Sequence, residues 1–196
     1  MLNKENLNYI FKHLYNKAQN SSDEFNAADA KIGDGDLGIT ILHGLEEINN
    51  SMSKFTDDLG YNFMICSQAF VKKSGSSFGT LIAFSFMNIS KHLKGKDKCS
   101  HEEIIDIFEI VLQTILERGK TKLGDKTIAD TIDLIIKKLK VSNDYKSVFI
   151  NASKDALENF KGKKILIGRA RMFNEKTKDL DDPGMFAISI LSNSFN

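Results

Sequence analysis

Three aspartates, Asp29, Asp34 and Asp36, fall within eight positions of "AADAKIGDGDLGIT", residues 27–40, and two of them flank one glycine. Two unit charges about 4 Å apart repel by roughly 4 kcal/mol at an effective dielectric near 20, so a chain that crowds them needs a cation or separate structural tasks for them. Hard divalent cations prefer oxygen ligands, and Mg²⁺ takes one or two carboxylates while leaving its other positions to water and phosphates. The spacing does not fit an EF-hand: counted from Asp34, position 5 is Gly38, position 6 is Ile39 and position 12 is Leu45. Two readings remain. Either the loop is a Mg²⁺ cage leading into a helix N-terminus, beginning near Gly38 to Thr40, whose amides and dipole suit phosphate, or the aspartates cap helices and form turns with glycine.

Three more stretches carry small, polar or charged residues between apolar patterns. In "VKKSGSSFGT", residues 71–80, Ser74, Gly75, Ser76 and Ser77 can present hydroxyls and amides to a nucleotide, or simply cap a helix. In "RGKTKLGDKTIAD", residues 118–130, Asp125 or Thr127 can cap the helix that follows. In "GRARMFNEKTKDLDDPG", residues 168–184, Arg169 can stabilise charge on a transferring phosphoryl group, and Asp182-Pro183-Gly184 forms a rigid turn before the last helix.

The elements that must position these residues read as helices. Leu7, Ile10, Phe11, Leu14 and Ala18 form one apolar stripe, and Ile104, Phe108, Val111 and Ile115 form another that Gly119 stops. "IADTIDLIIKKLK" and "DYKSVFINASKDALENFKG" repeat the pattern, the latter ending at Gly162, while "FGTLIAFSFMNISKHLKG" is apolar nearly all round, as a central helix capped by Gly95 would be. Only "KKILIGRA" invites a strand. The expected architecture is all-α, an up-and-down bundle of about eight helices at roughly 20 to 25 residues per helix and loop. Because interhelical loops of such a bundle collect at its two ends, several glycine-containing loops can converge on one rim.

Length and composition set the frame. The 196 residues suit one domain spanning 1–196, and 27 basic against 26 acidic residues give no bulk charge for nucleic acid or an anionic membrane. The N-terminal stretch is broken by charge every few residues, without a signal peptide's apolar run, so the cytoplasm is the expected compartment. Cys66 and Cys99 are too few for a disulfide framework, and the four histidines are scattered. No helix shows an apolar stripe that the bundle itself cannot use, which leaves oligomeric state, a homodimer included, open.

Taken together and in order, "GDGDLG", "SGSSFGT", "RGK" with "GDKT", "GRA" and "DPG" resemble the ADP-binding L subunit of dihydroxyacetone kinases, also found as the C-terminal domain of single-chain forms. The resemblance spans nearly the whole chain. It implies an antiparallel eight-helix barrel with the nucleotide, ADP or ATP, bound at one end through two Mg²⁺ ions. Position by position it makes Asp29, Asp34 and Asp36 metal ligands, and Leu37, Gly38, Ile39 and Thr40 the phosphate-binding helix start. Ser74 and Gly75 match the second nucleotide loop, Gly119 and Ile128 the adenine side, and Arg169 with Asp182, Pro183 and Gly184 the segment closing over the nucleotide. Asp34 and Arg169 match the positions expected to take part in catalysis.

The same resemblance implies a partner K subunit that holds a short-chain sugar on a histidine, and in phosphotransferase-linked systems an M subunit that rephosphorylates bound ADP. Several positions depart from the family: Leu37 and Thr40 stand where L subunits commonly carry His and Asn, Lys72 and Lys73 replace a glycine pair, and Arg171 replaces a serine. "KTKDLDDPG" also lacks the usual Gly-His before its final aspartate. The expected activity is Mg-dependent phosphoryl transfer to dihydroxyacetone or another small ketose. The alternative is a non-catalytic, nucleotide-sensing adaptor for a K subunit or a transcription factor.

Overall fold

The computed structural model describes residues 1–195. Among these lie eight α-helices: α1 (Lys4–Asp29), α2 (Leu37–Ser51), α3 (Leu59–Lys73), α4 (Ser77–His92), α5 (His101–Gly119), α6 (Ile128–Leu139), α7 (Tyr145–Asn159) and α8 (Pro183–Ser192). Each helix packs on the next in sequence, and α8 packs back on α1, so the eight close into a ring. The expected all-α barrel is therefore present. A two-residue antiparallel pair, β1 (Leu2–Asn3) with β2 (Lys98–Cys99), adds the one piece of sheet among the described residues.

Helix formation follows the apolar periodicity, and capping sets the starts. On α1 the buried face continues well past the stripe seen in the sequence, through Ser21 and Phe25, so the helix runs 26 residues, about 39 Å. Asn3 caps it by accepting a hydrogen bond from the Asn6 amide. Ser100 with Glu103 and Thr127 with Asp130 form capping boxes that start α5 and α6.

The core lies inside the ring. Phe86 of α4 meets Phe11 of α1 at 5.9 Å and Phe63 and Phe70 of α3 at 5.8 and 5.9 Å between ring centroids, a separation that suits aromatic pairs. A second cluster joins Ile115 of α5 to Ile132, Ile135, Ile136 and Leu139 of α6 and Val148 of α7. Helix α4 is apolar on most sides because α3 and α5 cover its flanks while Phe86 points inward. It is a ring member like the others and does not run through the middle.

Three local expectations are corrected. Helix α5 runs through Gly119, and the left-handed residue that ends it is Lys120, at φ 51°. "KKILIGRA" forms no strand: residues 163–166 are irregular and lead into a 3-10 stretch, Arg169–Asp179, kinked at Asn174. Asp182-Pro183-Gly184 opens helix α8, with Asp182 as N-cap and Pro183 as first residue.

Helix α2 lies so close to α1 that a Cβ on Gly38 would fall far inside contact distance of the Ser22 carbonyl oxygen. Backbone cannot swing aside as a side chain can. Replacing Gly38 by Ala would gain about 1 kcal/mol of helix preference against an overpacking cost of about 1–3 kcal/mol, so Gly38→Ala should destabilise the fold, read as a lower urea midpoint at unchanged slope.

Candidate functional site

Alternation of direction around the ring puts four connections at one end: α1–α2, α3–α4, α5–α6 and α7–α8. All four line one cavity of about 920 Å³. Helices α2, α4, α6 and α8 all begin at this end, and their starting residues Leu37, Ser77, Ile128 and Pro183 are on its wall. Amides of a helix's first turn lack intrahelical partners and carry the positive end of the helix dipole, so this rim is suited to anions.

The three aspartates come from three different local structures. Asp29 is the last residue of α1, Asp34 lies in the connection, and Asp36 is the N-cap of α2. Each offers an oxygen within 4.8 Å of the others. Asp29 Oδ2 accepts from the Gly35 amide at 2.9 Å and the Asp36 amide at 3.1 Å, which curls the connection back over the carboxylate. Gly35 supports that curl at φ +77°, and a Cβ at Gly33 would collide with Asp29 Oδ1.

Asp36 occupies the cap position but caps nothing with its side chain. Asn26, one turn before the end of α1, does that work: its Oδ1 accepts from the Gly38 amide at 2.7 Å and the Ile39 amide at 3.2 Å. Two consequences follow. The Asp36 carboxyl is left available, and burial, then Asp34 and Asp29, raise its pKa while Arg169 opposes. The Gly38 amide donates to Asn26, while its neighbours Leu37, Ile39 and Thr40 line the cavity.

The other residues that the family resemblance assigns to the site are all on the wall: Asp29, Asp34, Asp36, Leu37, Ile39, Thr40, Ser74, Gly75, Gly119, Ile128, Arg169, Asp182, Pro183 and Gly184. Leu37 is also part of the main core, so this position serves packing as well as lining the cavity. The Thr40 hydroxyl donates to Ser76 Oγ at 3.0 Å, and Ser76 Oγ lies 3.1 Å from Ser74 Oγ, tying the start of α2 to the α3–α4 turn. Ser76 also accepts from the Gly79 amide as N-cap of α4, which leaves the first two amides of that helix facing the cavity end. Lys72 and Lys73 both pair with Glu47 of α2.

Arg169 forms an ion pair with Asp34 across the cavity mouth, bridging the α7–α8 connection to the aspartate cluster. Both side chains are about half exposed, and such pairs are worth about 0–1 kcal/mol, so each partner is readily exchanged for a stronger one. Asp125 and Asp130 are occupied elsewhere. Asp125 accepts from the Lys122 amide and Thr121 hydroxyl, and Asp130 from the Gly124 and Thr127 amides.

Sequence reading missed Asn26, twelve residues from the amide it caps, and Lys126, whose charge marks a solvated residue by default but which is 1% exposed. Neither carries a local signal: the partner in each case is distant in sequence. It also left out Phe78 and Lys120, which line the cavity together with Lys73 and Arg171, two positions marked from the sequence only as departures from the family.

An all-helical ring with a cation-ready, anion-facing end is the structural class defined by these features. The DAK2 domain family model matches residues 31–196, and the chain belongs to that family. It is 30% identical over 164 residues to the PEP-dependent dihydroxyacetone kinase 1, ADP-binding subunit DhaL of Listeria innocua, covering 83% of this chain and 80% of that protein. It is 22% identical over 178 residues to the PEP-dependent dihydroxyacetone kinase, ADP-binding subunit DhaL of Escherichia coli, covering 87% and 85%. The crystal structure of the dihydroxyacetone kinase of C. freundii superposes with a TM-score of 0.77 at 18% identity, covering all of this chain and 34% of that one. The C. freundii enzyme in complex with AMP-PNP and Mg²⁺ gives the same score at 19% identity.

Asp182 gives the site a pH signature. Burial raises its carboxyl from 3.8 to about 7, against the lowering effect of the Met185 and Gly184 amides and of Lys126. Between the ordinary carboxylate range and pH 7 the folded state therefore holds a proton that the unfolded chain releases, so this group's contribution to stability falls as pH rises through 7. Asp182→Asn, which can still cap α8, should flatten the loss of stability between pH 5 and 8. Urea titrations of both proteins across that range measure it.

Proposed function

We propose that this chain is the nucleotide-binding subunit of a dihydroxyacetone kinase, a single domain whose cavity binds ADP or ATP with Mg²⁺. The observation that supports this most is the meeting of Asp29, Asp34 and Asp36 with Arg169 at the end where four helices begin. The donor set suits a hard divalent cation: three carboxylates, one held in place by backbone amides and one relieved of its capping duty by Asn26. When bound, Mg²⁺, as two ions in this reading, supplies charge neutralisation for the phosphates.

The chain's own groups supply positioning. Asp29, Asp34 and Asp36 hold the cation, while Leu37, Ile39, Thr40, Ser74 and Gly75 shape the phosphate side. Gly119 and Ile128 bound the base, and Asp182, Pro183 and Gly184 close the far wall. Arg169 exchanges Asp34 for the transferring phosphoryl group, whose transition state spreads charge over its oxygens and is served by fixed positive charge. Dihydroxyacetone or a related small ketose is the acceptor, and we place its binding on a separate K subunit, a reading supported by the two relatives matched over 80% and 85% of their length, both named as ADP-binding subunits; the chain spans about a third of the C. freundii enzyme. A phosphocarrier M subunit is the further partner if bound ADP is rephosphorylated in place. The listerial and E. coli relatives are named as PEP-dependent, which supports that donor over free ATP. We assign the protein to the cytoplasm; among the described residues no helix is long and apolar enough to cross a membrane.

Asp34 is about half exposed and outside every helix, so its loss should leave the fold standing. Asp34→Ala should abolish Mg²⁺-dependent ADP binding in titration calorimetry while the thermal midpoint moves by no more than a few degrees. Retained binding would sink the metal assignment. Mixed with a K subunit, a phosphoryl donor and dihydroxyacetone, the wild type should form sugar phosphate; tight nucleotide binding without turnover would make it an adaptor instead.

A further inference from the structure

The connection that carries Arg169 is long, and both its legs meet one buried side chain. Lys126 is 1% exposed, and its ammonium donates to three backbone carbonyls: Lys163 at 2.9 Å, Thr177 at 3.1 Å and Leu180 at 2.6 Å. An ammonium has three N–H donors, and all three are used. The first carbonyl belongs to the outgoing leg of the α7–α8 connection and the other two to the returning leg.

Neighbouring bonds reinforce the same junction. The Leu166 amide donates to the Asp125 carbonyl at 3.1 Å, and the Ile165 amide to Thr177 Oγ1 at 3.0 Å. Thr177 in turn donates to the Asn174 carbonyl at 2.7 Å. Lys126 holds a left-handed backbone, φ 62°, a conformation unfavourable for a side chain with a Cβ. Between the fastened legs, Ile167, Gly168, Arg169, Ala170, Arg171 and Met172 line the cavity. Gly168 at φ 67°, near the start of that stretch, and Asn174 at φ 44°, just after it, mark its bends.

We propose that Lys126 is a positioning residue for Arg169: by clamping both legs of the α7–α8 connection, it holds the guanidinium over the aspartate cluster. This rests on the nucleotide-binding reading above. The three carbonyls use all the ammonium's donors, and a buried ammonium is tolerated only where such acceptors surround it. Desolvation lowers the Lys126 pKa, opposed in part by the nearby carboxylates Asp181, Asp182 and Asp179, which favour the charged form. Small displacements of a charge-stabilising group are costly to phosphate recognition, which gives the clamp its functional weight.

A double-mutant cycle separates positioning from general support. Lys126→Met should weaken Mg·AMP-PNP binding, whose terminal phosphoryl Arg169 meets, by on the order of tenfold in the wild-type background, and should add almost nothing in the Arg169→Ala background. Additive losses, or unchanged binding in Lys126→Met, would overturn the proposal. Should Lys126→Met fail to fold, Thr177→Val loosens the same junction and is held to the same criterion. Tryptic cleavage after Arg169 and Arg171 reads the clamp without nucleotide: it should be faster in either loosened variant than in wild type, and an equal rate would refute the clamp. Failure of the wild type to bind Mg·AMP-PNP would instead refute the functional reading, leaving the cleavage assay to judge Lys126.

Discussion

Everything at the site depends on the closure of the helix ring. A helix with one apolar stripe must bury it against neighbours, and eight antiparallel helices can do so with every member flanked on both sides. Eight is an even number, so α8 returns antiparallel to α1 and the ring closes without a parallel pair. The same parity sends α1–α2, α3–α4, α5–α6 and α7–α8 to one end. A burial requirement thus assembles a binding site from segments as far apart as Asp29 and Gly184.

At that end the structure distributes charge by deciding which carboxylates are already engaged. Asp125, Asp130 and Asp182 lie around the α5–α6 and α8 starts, but their oxygens accept from backbone amides or hydroxyls. Asp34 holds only the exchangeable Arg169, and Asp36 is spared capping by an amide side chain on another helix. On the proposed reading an incoming cation meets these two less committed carboxylates beside Asp29, whose Oδ2 is held in place by the Gly35 and Asp36 amides. Asn26 is central here: a single neutral side chain fixes the approach of α2 to α1 and releases a carboxylate in the same contact.

Much of this was legible in the sequence because it is local. Apolar periodicity marked the helices, and the aspartate cluster, the serine-glycine turn and Asp182-Pro183-Gly184 each announced themselves by composition. What was not legible is what depends on pairs far apart in the chain. Whether Asp36 caps or stays available turns on Asn26, and whether Lys126 is solvated or buried turns on carbonyls 37 to 54 residues away. Gly38 shows the same limit: glycine at a helix start suggests an approaching phosphate, yet the close approach it permits is that of the Ser22 carbonyl. The irregular stretch after α7 escaped because its order comes from the Lys126 clamp and not from any periodic pattern.

The α8–α1 contact also changes what chain order means for this fold. In packing terms the ring has no first or last member, since the pair that closes it is built like the pairs joined by a loop. Connectivity is thus separable from architecture: the chain could be reopened in residues 93–100 or 140–144, at the end away from the cavity, and rejoined elsewhere at that end with every helix keeping its neighbours. The four connections at the other end have no such freedom, because together they form the wall of the cavity.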